Sequence, residues 1–135
     1  MARSRIVVFP YGLVAGQWSP IISAGLHLGQ IWRPVELYVD SGAAYAVVRA
    51  QVAKDADFDY SRGKKVLIQV GDGSMIPVFL HNLPIQIGSA KFIAPIGFSA
   101  RLGVPFNLLG RHGVFEHFKI CFHEKRKVVS FEMPD

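Results

Sequence analysis

Short runs in which apolar and polar residues alternate recur along the chain, and this period of two is typical of β-strands with one buried face. The clearest run spans residues 34–39, where Val35, Leu37 and Val39 share one face. Further strands are predicted at residues 20–28, 45–48, 64–70, 75–80, 83–87, 91–98, 107–110, 118–123 and 128–131, and short helices at residues 49–58 and 111–117. The pattern therefore predicts an all-β fold with one or two short helices.

Composition agrees with this β-rich prediction. Of 135 residues, half are hydrophobic and 19% are charged, which excludes a disordered chain. Eight Pro and 13 Gly among many β-branched and aromatic residues favour short strands joined by turns. The length suits one domain, residues 1–135, and no internal repeat or linker interrupts it. No apolar run reaches the roughly 20 residues of a membrane-spanning helix, so we expect no membrane association.

The first residues allow two interpretations. Residues 1–16 imitate a short signal peptide, because basic residues precede an apolar stretch. However, Pro10 and Gly12 interrupt that stretch, and no convincing cleavage site follows it. We therefore expect residues 5–9 to form a strand rather than part of a signal peptide.

Asp40 directly follows the predicted strand 34–39 and stands between two apolar runs. A carboxylate this close to a hydrophobic core is costly unless it is hydrogen-bonded, paired or used in chemistry. The small residues Ser41 and Gly42 allow a tight turn and a close approach of a backbone or a ligand. This stretch therefore predicts a strand that ends in a loop presenting one acid.

Two motifs carry a resemblance to a known family. Residues 40–43, Asp-Ser-Gly-Ala, match the active-site loop Asp-Thr/Ser-Gly-Ala of aspartic proteases. Residues 105–111, Pro-Phe-Asn-Leu-Leu-Gly-Arg, match the run Pro-x-Asn-Ile-Ile/Leu-Gly-Arg of retroviral proteases. A Gly-rich hairpin signal at residues 71–74 lies between them, where that family has its flap. Over residues 19–131 the chain resembles retropepsin-like aspartic proteases.

The resemblance implies a closed, β-barrel-like acid-protease fold with one lobe per chain, which hydrolyses peptide bonds without a cofactor. It implies that Asp40 is catalytic and that the active-site loop is completed by Ser41, Gly42 and Ala43. It assigns substrate binding to Tyr38, Ala44, Val47, Gly71, Gly73, Ile76, Phe106 and Leu108. Structural roles fall to Gly110 and Arg111.

The single Asp-Ser-Gly motif predicts a homodimer. Hydrolysis by carboxylates needs an ionised group to activate water and a protonated group to polarise the carbonyl. Two-lobed aspartic proteases carry one such Asp in each lobe, whereas this chain has one motif in all. We therefore expect Asp40 to meet its copy across a two-fold axis, with a peptide or protein as the substrate.

One position departs from the retroviral pattern. In that family the Arg of the Gly-Arg pair contacts an acid four residues beyond the catalytic Asp, and that position is Ala44 here. We therefore expect Arg111 to contact a chain terminus or a carboxylate of the other subunit.

Charge bears on the possible partners of the chain, and cysteine content bears on its compartment. The net charge is +5, but the basic residues fall mostly at turns, such as 62–65 and 125–127. Aromatic residues are not interleaved with them as a nucleic-acid stacking surface requires, so we expect no nucleic-acid partner. The lone Cys121 cannot form an internal disulfide, which favours a reducing, cytoplasmic compartment.

Two alternatives stay open. A non-catalytic dimeric module that binds peptides or supports assembly would use the same groove, because a fold can persist without its chemistry. A metal site is the second alternative, since His112, His117, Cys121 and His123 lie within a short segment. That segment changes from helix to strand, so the side chains should diverge, and we expect no metal.

Overall fold

A computed structural model describes residues 5–70 and 72–133. Within these residues the chain forms twelve strands, one short α-helix and two single turns of 3₁₀ helix at Tyr60–Arg62 and Phe115–His117. The strands and helix are β1 (Arg5–Pro10), β2 (Gly12–Val14), β3 (Gln17–Ser19), β4 (Ile21–Leu28), β5 (Ile31–Val39), β6 (Ala46–Arg49), α1 (Ala50–Asp55), β7 (Lys64–Gln69), β8 (Met75–Ile87), β9 (Ala90–Ser99), β10 (Asn107–Leu109), β11 (Lys119–His123) and β12 (Val128–Met133).

Six of these strands close into a barrel. Their order is β4-β5-β10-β6-β9-β8, and β8 pairs back with β4 at Gly25–Gln86 and Leu26–Ile85. Closure pairs both edges of each barrel strand and so leaves fewer free backbone groups than an open sheet. Strand β7 lies outside the ring and pairs with β8 as a hairpin. The predicted all-β, barrel-like fold with little helix is confirmed.

The barrel interior follows from the alternation along its strands. Val35, Leu37 and Val39 of β5 are buried, as the period of two predicted, and alternate residues of β4 are buried beside them. Phe98 and Ile96 of β9 fill the centre of the same cluster. Burying side chains of this size gains about 1.5–3 kcal/mol each, so this interior is a main source of stability.

A three-stranded sheet, in the order β1-β12-β11, packs against the barrel. Phe131 of β12 is buried, and the rings of Phe9 and Phe118 meet it edge-on at centroid distances of 5.7 and 5.3 Å. The predicted strand at residues 5–9 is therefore present as β1, and it pairs with β12 of its own chain. Among the described residues, no helix has the length and apolar character needed to span a lipid bilayer.

The predicted secondary structure differs from the observed one in three places. Residues 75–80 and 83–87 form one continuous strand, β8, because residues 79–87 pair with β9 without interruption. The β2–β3 hairpin was not predicted, since its turn residues Ala15 and Gly16, which have positive φ, are not a common hairpin signal. The helix expected at residues 111–117 is a set of turns that ends in the second 3₁₀ turn.

Candidate active site

The loop after β5 holds Asp40 in a fixed orientation. The backbone N–H of Asp40 donates to the carbonyl of Leu109 at 3.1 Å, so the loop stays joined to β10. The Oδ1 atom of Asp40 accepts the N–H of Gly42 at 2.8 Å, and the N–H of Ala43 donates to the Asp40 carbonyl at 3.2 Å. These bonds form a tight turn of the kind that Asp favours through its side chain.

Strand β10 brings the second motif beside the first. Leu108 lies opposite Tyr38 in the parallel pairing with β5 and opposite Val47 in the antiparallel pairing with β6. The two motifs are therefore neighbours in space although more than 60 residues separate them in sequence.

The Asn107 side chain reinforces this arrangement. Its Oδ1 accepts the N–H of Arg49 at 2.8 Å, and its Nδ2 donates to the carbonyl of Glu36 at 2.9 Å. One amide thus joins the end of β6 to the middle of β5.

Gly110 and Arg111 lie beneath the loop that follows β5. A Cβ on Gly110 would overlap the backbone of Tyr45, so this position requires glycine. The N–H of Arg111 donates to the carbonyl of Ala43 at 3.0 Å, and its guanidinium Nη1 donates to the carbonyl of Ser41 at 3.3 Å. Within its own chain the guanidinium of Arg111 therefore has a loop carbonyl as partner, and its expected contact with a chain terminus or a carboxylate of the other subunit stays a prediction.

A cleft of about 770 Å³ opens above this loop. Its described lining has one carboxylate, Asp40, which is half-buried. Opposite the loop, the β7–β8 hairpin contributes apolar side chains, and a second cluster of buried residues, centred on Val47, Ile76 and Leu102, packs beneath the cleft. The cleft therefore combines one acid with mainly apolar walls.

Two solved structures are similar to this fold. A retropepsin-like aspartic protease from Rickettsia conorii matches with a TM-score of 0.68 and 15% identity, over 99% of this chain and 95% of that chain. The EIAV protease, in complex with the inhibitor HBY-793, matches with a TM-score of 0.53 and 17% identity, over 74% of this chain and 88% of that chain. The chain has a retropepsin fold. No protein family model matches its sequence, and the comparison with curated proteins gave no match.

The retropepsin fold brings most of the predicted site residues to the cleft. The predicted residues that line it are Asp40, Gly42, Ala43, Ala44, Val47, Ile76, Phe106 and Leu108. Tyr38 does not line the cleft; its ring stacks on Phe106 with the centroids 4.9 Å apart, so it supports that wall. Ser41 is exposed, Gly73 lies outside the lining, and Gly71 lies outside the described residues.

Several lining residues were not among the predicted site residues. They are Tyr45, Leu67, Ile68, Gln69, Leu102 and Val104. Leu102 and Val104 directly precede the second motif, so their position in the chain was an available signal. The residues of strand β7 could be assigned to the cleft only from the tertiary structure, because the sequence alone does not determine which face of the hairpin is turned toward the cleft.

The tip of the β7–β8 hairpin is a hydrogen-bonded turn. The Asp72 carboxylate accepts both the N–H of Ser74, at 2.9 Å, and its hydroxyl, at 2.5 Å. These bonds, chiefly the one from the hydroxyl, lower the pKa of Asp72 below its usual range. The N–H of Gly73 also donates to the carbonyl of Val70, and its φ of +87° suits glycine.

The residues of the alternative metal site do not gather. The ring of His112 lies against Tyr45, with 4.8 Å between centroids, and the ring of His117 lies against Phe92, at 4.4 Å. Within residues 5–70 and 72–133, no three His, Cys, Asp or Glu side chains come close enough together to hold a metal ion.

Proposed function

We propose that this chain is an aspartic endopeptidase that acts as a homodimer. The placement of Asp40 carries the proposal: it is the one acid among the described residues lining the cleft, and the N–H of Gly42 holds its Oδ1. The similarity to two proteases of the same fold supports this reaction class.

The second carboxylate comes from the partner copy. Carboxylate catalysis of this kind needs two acids in different protonation states, and one chain supplies one. The ionised Asp40 takes a proton from water, and the water oxygen attacks the carbonyl carbon. The protonated Asp40 of the partner subunit donates a hydrogen bond to the carbonyl oxygen. The C–N bond then breaks as the amide nitrogen takes up the proton that Asp40 removed from water, which leaves a carboxylic acid and an amine.

Repulsion between the two acids sets the pH dependence. At an effective dielectric constant of about 20, two carboxylates about 4 Å apart repel each other by roughly 4 kcal/mol. At about 1.4 kcal/mol per pH unit, the pair then shares one proton over about three pH units. Aspartic-protease dyads are the established example of this effect. We expect a bell-shaped pH–rate profile centred below neutrality, whose limbs belong to the pair.

The walls of the cleft suit an extended peptide. Within the described residues, β7 pairs with β8 along one edge, and Ile68 and Val70 face the cleft near Asp40. A bound peptide would add as a strand, with backbone hydrogen bonds for affinity and apolar pockets around Val47 and Leu108 for selectivity. In this proposal the β7–β8 hairpin is the flap that covers the substrate.

Substitution of Asp40 by Asn tests the proposal. Asp40→Asn should lower kcat on a cleaved peptide by about 10²–10⁴-fold, because the general base is lost while the shape is kept. Peptide binding, measured by fluorescence anisotropy, should persist. Asp57→Asn is the matched control, since this exposed acid lies outside the cleft lining.

Two results would overturn the proposal. One is a wild type that stays monomeric in analytical ultracentrifugation while it cleaves. The other is a wild type that binds peptides across acid pH but cleaves none, which would support the non-catalytic module.

A further inference from the structure

A second concavity adjoins the cleft. It has a volume of about 510 Å³, and Leu102 and Val104 line both spaces. Residues 102–105 form its wall on the cleft side, and the opposite wall comes from the junction of β6 with α1. A peptide that leaves the cleft across this wall therefore enters the second space, which we call the basic pocket.

The basic pocket is positively charged. Its lining includes two cationic side chains, Arg49 and Lys54, and its described lining residues include no carboxylate. The ion pairs within the described part of the chain join Arg62 to Asp59 and Lys127 to Glu124, so they use neither pocket cation.

Two acids lie near the basic pocket, but in the described structure neither forms an ion pair with Arg49 or Lys54. Asp55 accepts the side-chain amide of Gln51, a lining residue, at 2.7 Å, but Asp55 itself does not line the pocket and forms no ion pair with either pocket cation in the described structure. Glu36 lines a neighbouring groove together with Arg49, but the two form no ion pair in the described structure. The two cations are thus free to meet a ligand, and the net charge of +5 adds a long-range attraction for acidic peptides.

The backbone that carries Arg49 is tied to the cleft. Its N–H donates to Oδ1 of Asn107, and Asn107 immediately precedes Leu108, which lines the cleft. The backbone from which the Arg49 side chain extends is therefore held by the strand that also lines the cleft.

We propose that the basic pocket selects substrates that carry an Asp or Glu side chain at a position beyond the residues held in the cleft. This inference rests on the proposed peptidase function and names a feature of its substrates. A carboxylate in the pocket would meet two cations, one of them the guanidinium of Arg49, which can bind it through two parallel hydrogen bonds.

Matched peptides test the inference. A cleaved peptide is resynthesised with a single Glu, or with Gln as its neutral counterpart, at each position in turn. At one position the Glu peptide should have a kcat/KM higher by about 1.5- to 5-fold for each cation that it meets. The preference should appear mainly in KM and should weaken as the salt concentration rises, because the side chains are exposed.

Variants assign the preference to the pocket. Arg49→Gln and Lys54→Gln should each lower the Glu-to-Gln ratio, and Lys54→Glu should favour a Lys peptide at the same position. Lys125→Gln is the matched control, because this exposed lysine lies on the β11–β12 hairpin, outside both spaces. A ratio that is the same in the wild type and the pocket variants would overturn the inference while leaving the peptidase proposal intact.

A binding measurement separates the two proposals. The Asp40→Asn protein is titrated with pairs of fluorescent peptides that bind to it and that differ only in Glu or Gln at one position, whether or not the wild type cleaves them. If the wild type cleaves nothing, the peptidase proposal fails, and the inference about acidic ligands is decided by this binding alone. The inference is supported if the Glu peptide binds more tightly than the Gln peptide and the Arg49→Gln substitution abolishes this difference. Equal binding of the two peptides overturns the inference.

Discussion

Replacing Gly110 by alanine should push the segment after β10 away from the backbone of Tyr45, where the two motifs lie side by side. Gly110 is buried, and an added Cβ would overlap the backbone of Tyr45. Since the obstacle is backbone rather than the end of a flexible side chain, one of the two segments must move. The adjacent bond from the N–H of Arg111 to the carbonyl of Ala43, now 3.0 Å, should lengthen as they separate.

The expected cost follows from these contacts. Overpacking of this kind costs about 1–3 kcal/mol. Weakening one backbone hydrogen bond adds about 0.5–1.5 kcal/mol. The free energy of unfolding should therefore fall by about 2–4 kcal/mol, from a total of about 5–15 kcal/mol for a typical domain. In a domain of this size that lowers Tm by roughly 6–20 °C.

Urea denaturation and differential scanning calorimetry measure this change. Gly25→Ala in β4 is the matched control, because its Cβ would make ordinary contacts, of 3.4 Å or more, with Trp32 and Gln86. The control should stay within about 1 kcal/mol of the wild type. If Gly110→Ala unfolds at the wild-type urea midpoint with an unchanged m-value, the close crossing of β10 beneath the active-site loop is refuted.

Three further predictions concern single side chains. Asn107→Ala should lower the free energy of unfolding by about 1–3 kcal/mol, because two hydrogen bonds that bridge β5 and β6 are lost. Urea titration measures this loss, with Asn82→Ala, at an exposed position of β8, as the control. An equal loss of unfolding free energy in Asn82→Ala would contradict the prediction. Burial, with a hydrogen bond to a glutamate, raises the pKa of Tyr11 to about 12. The unfolded chain loses this proton near pH 10, so the wild type should lose stability relative to Tyr11→Phe between about pH 10 and 12; a constant difference would argue against it. Because the pKa of Asp72 is lowered, its hydrogen bonds should hold above its ordinary pKa and be lost as pH falls through the lowered value. Below that lowered pKa, the Ser74 amide should exchange with solvent faster in NMR than the pH dependence of intrinsic exchange explains. An Asp72→Asn protein should lack this extra change.

Patterns among neighbouring residues determined much of this protein from its sequence. The alternation of Val35, Leu37 and Val39 predicted the buried face of β5, and Asp-Ser-Gly predicted the turn that follows it. The runs on either side of residues 71–74 predicted the β7–β8 hairpin. Such features depend on side-chain period and turn chemistry over fewer than ten residues, so they can be read along the chain.

Only the tertiary structure decided which residues distant in sequence come into contact. It placed β10 between β5 and β6, gave Arg111 a carbonyl of its own loop as partner, and set Arg49 and Lys54 beside the cleft. It also joined two predicted strands into β8, since pairing with β9 outweighed local turn signals. These outcomes depend on contacts between residues that are distant in sequence. Each contact contributes about 1 kcal/mol, and the contacts form together only when the barrel closes, so no single stretch of the sequence predicts them.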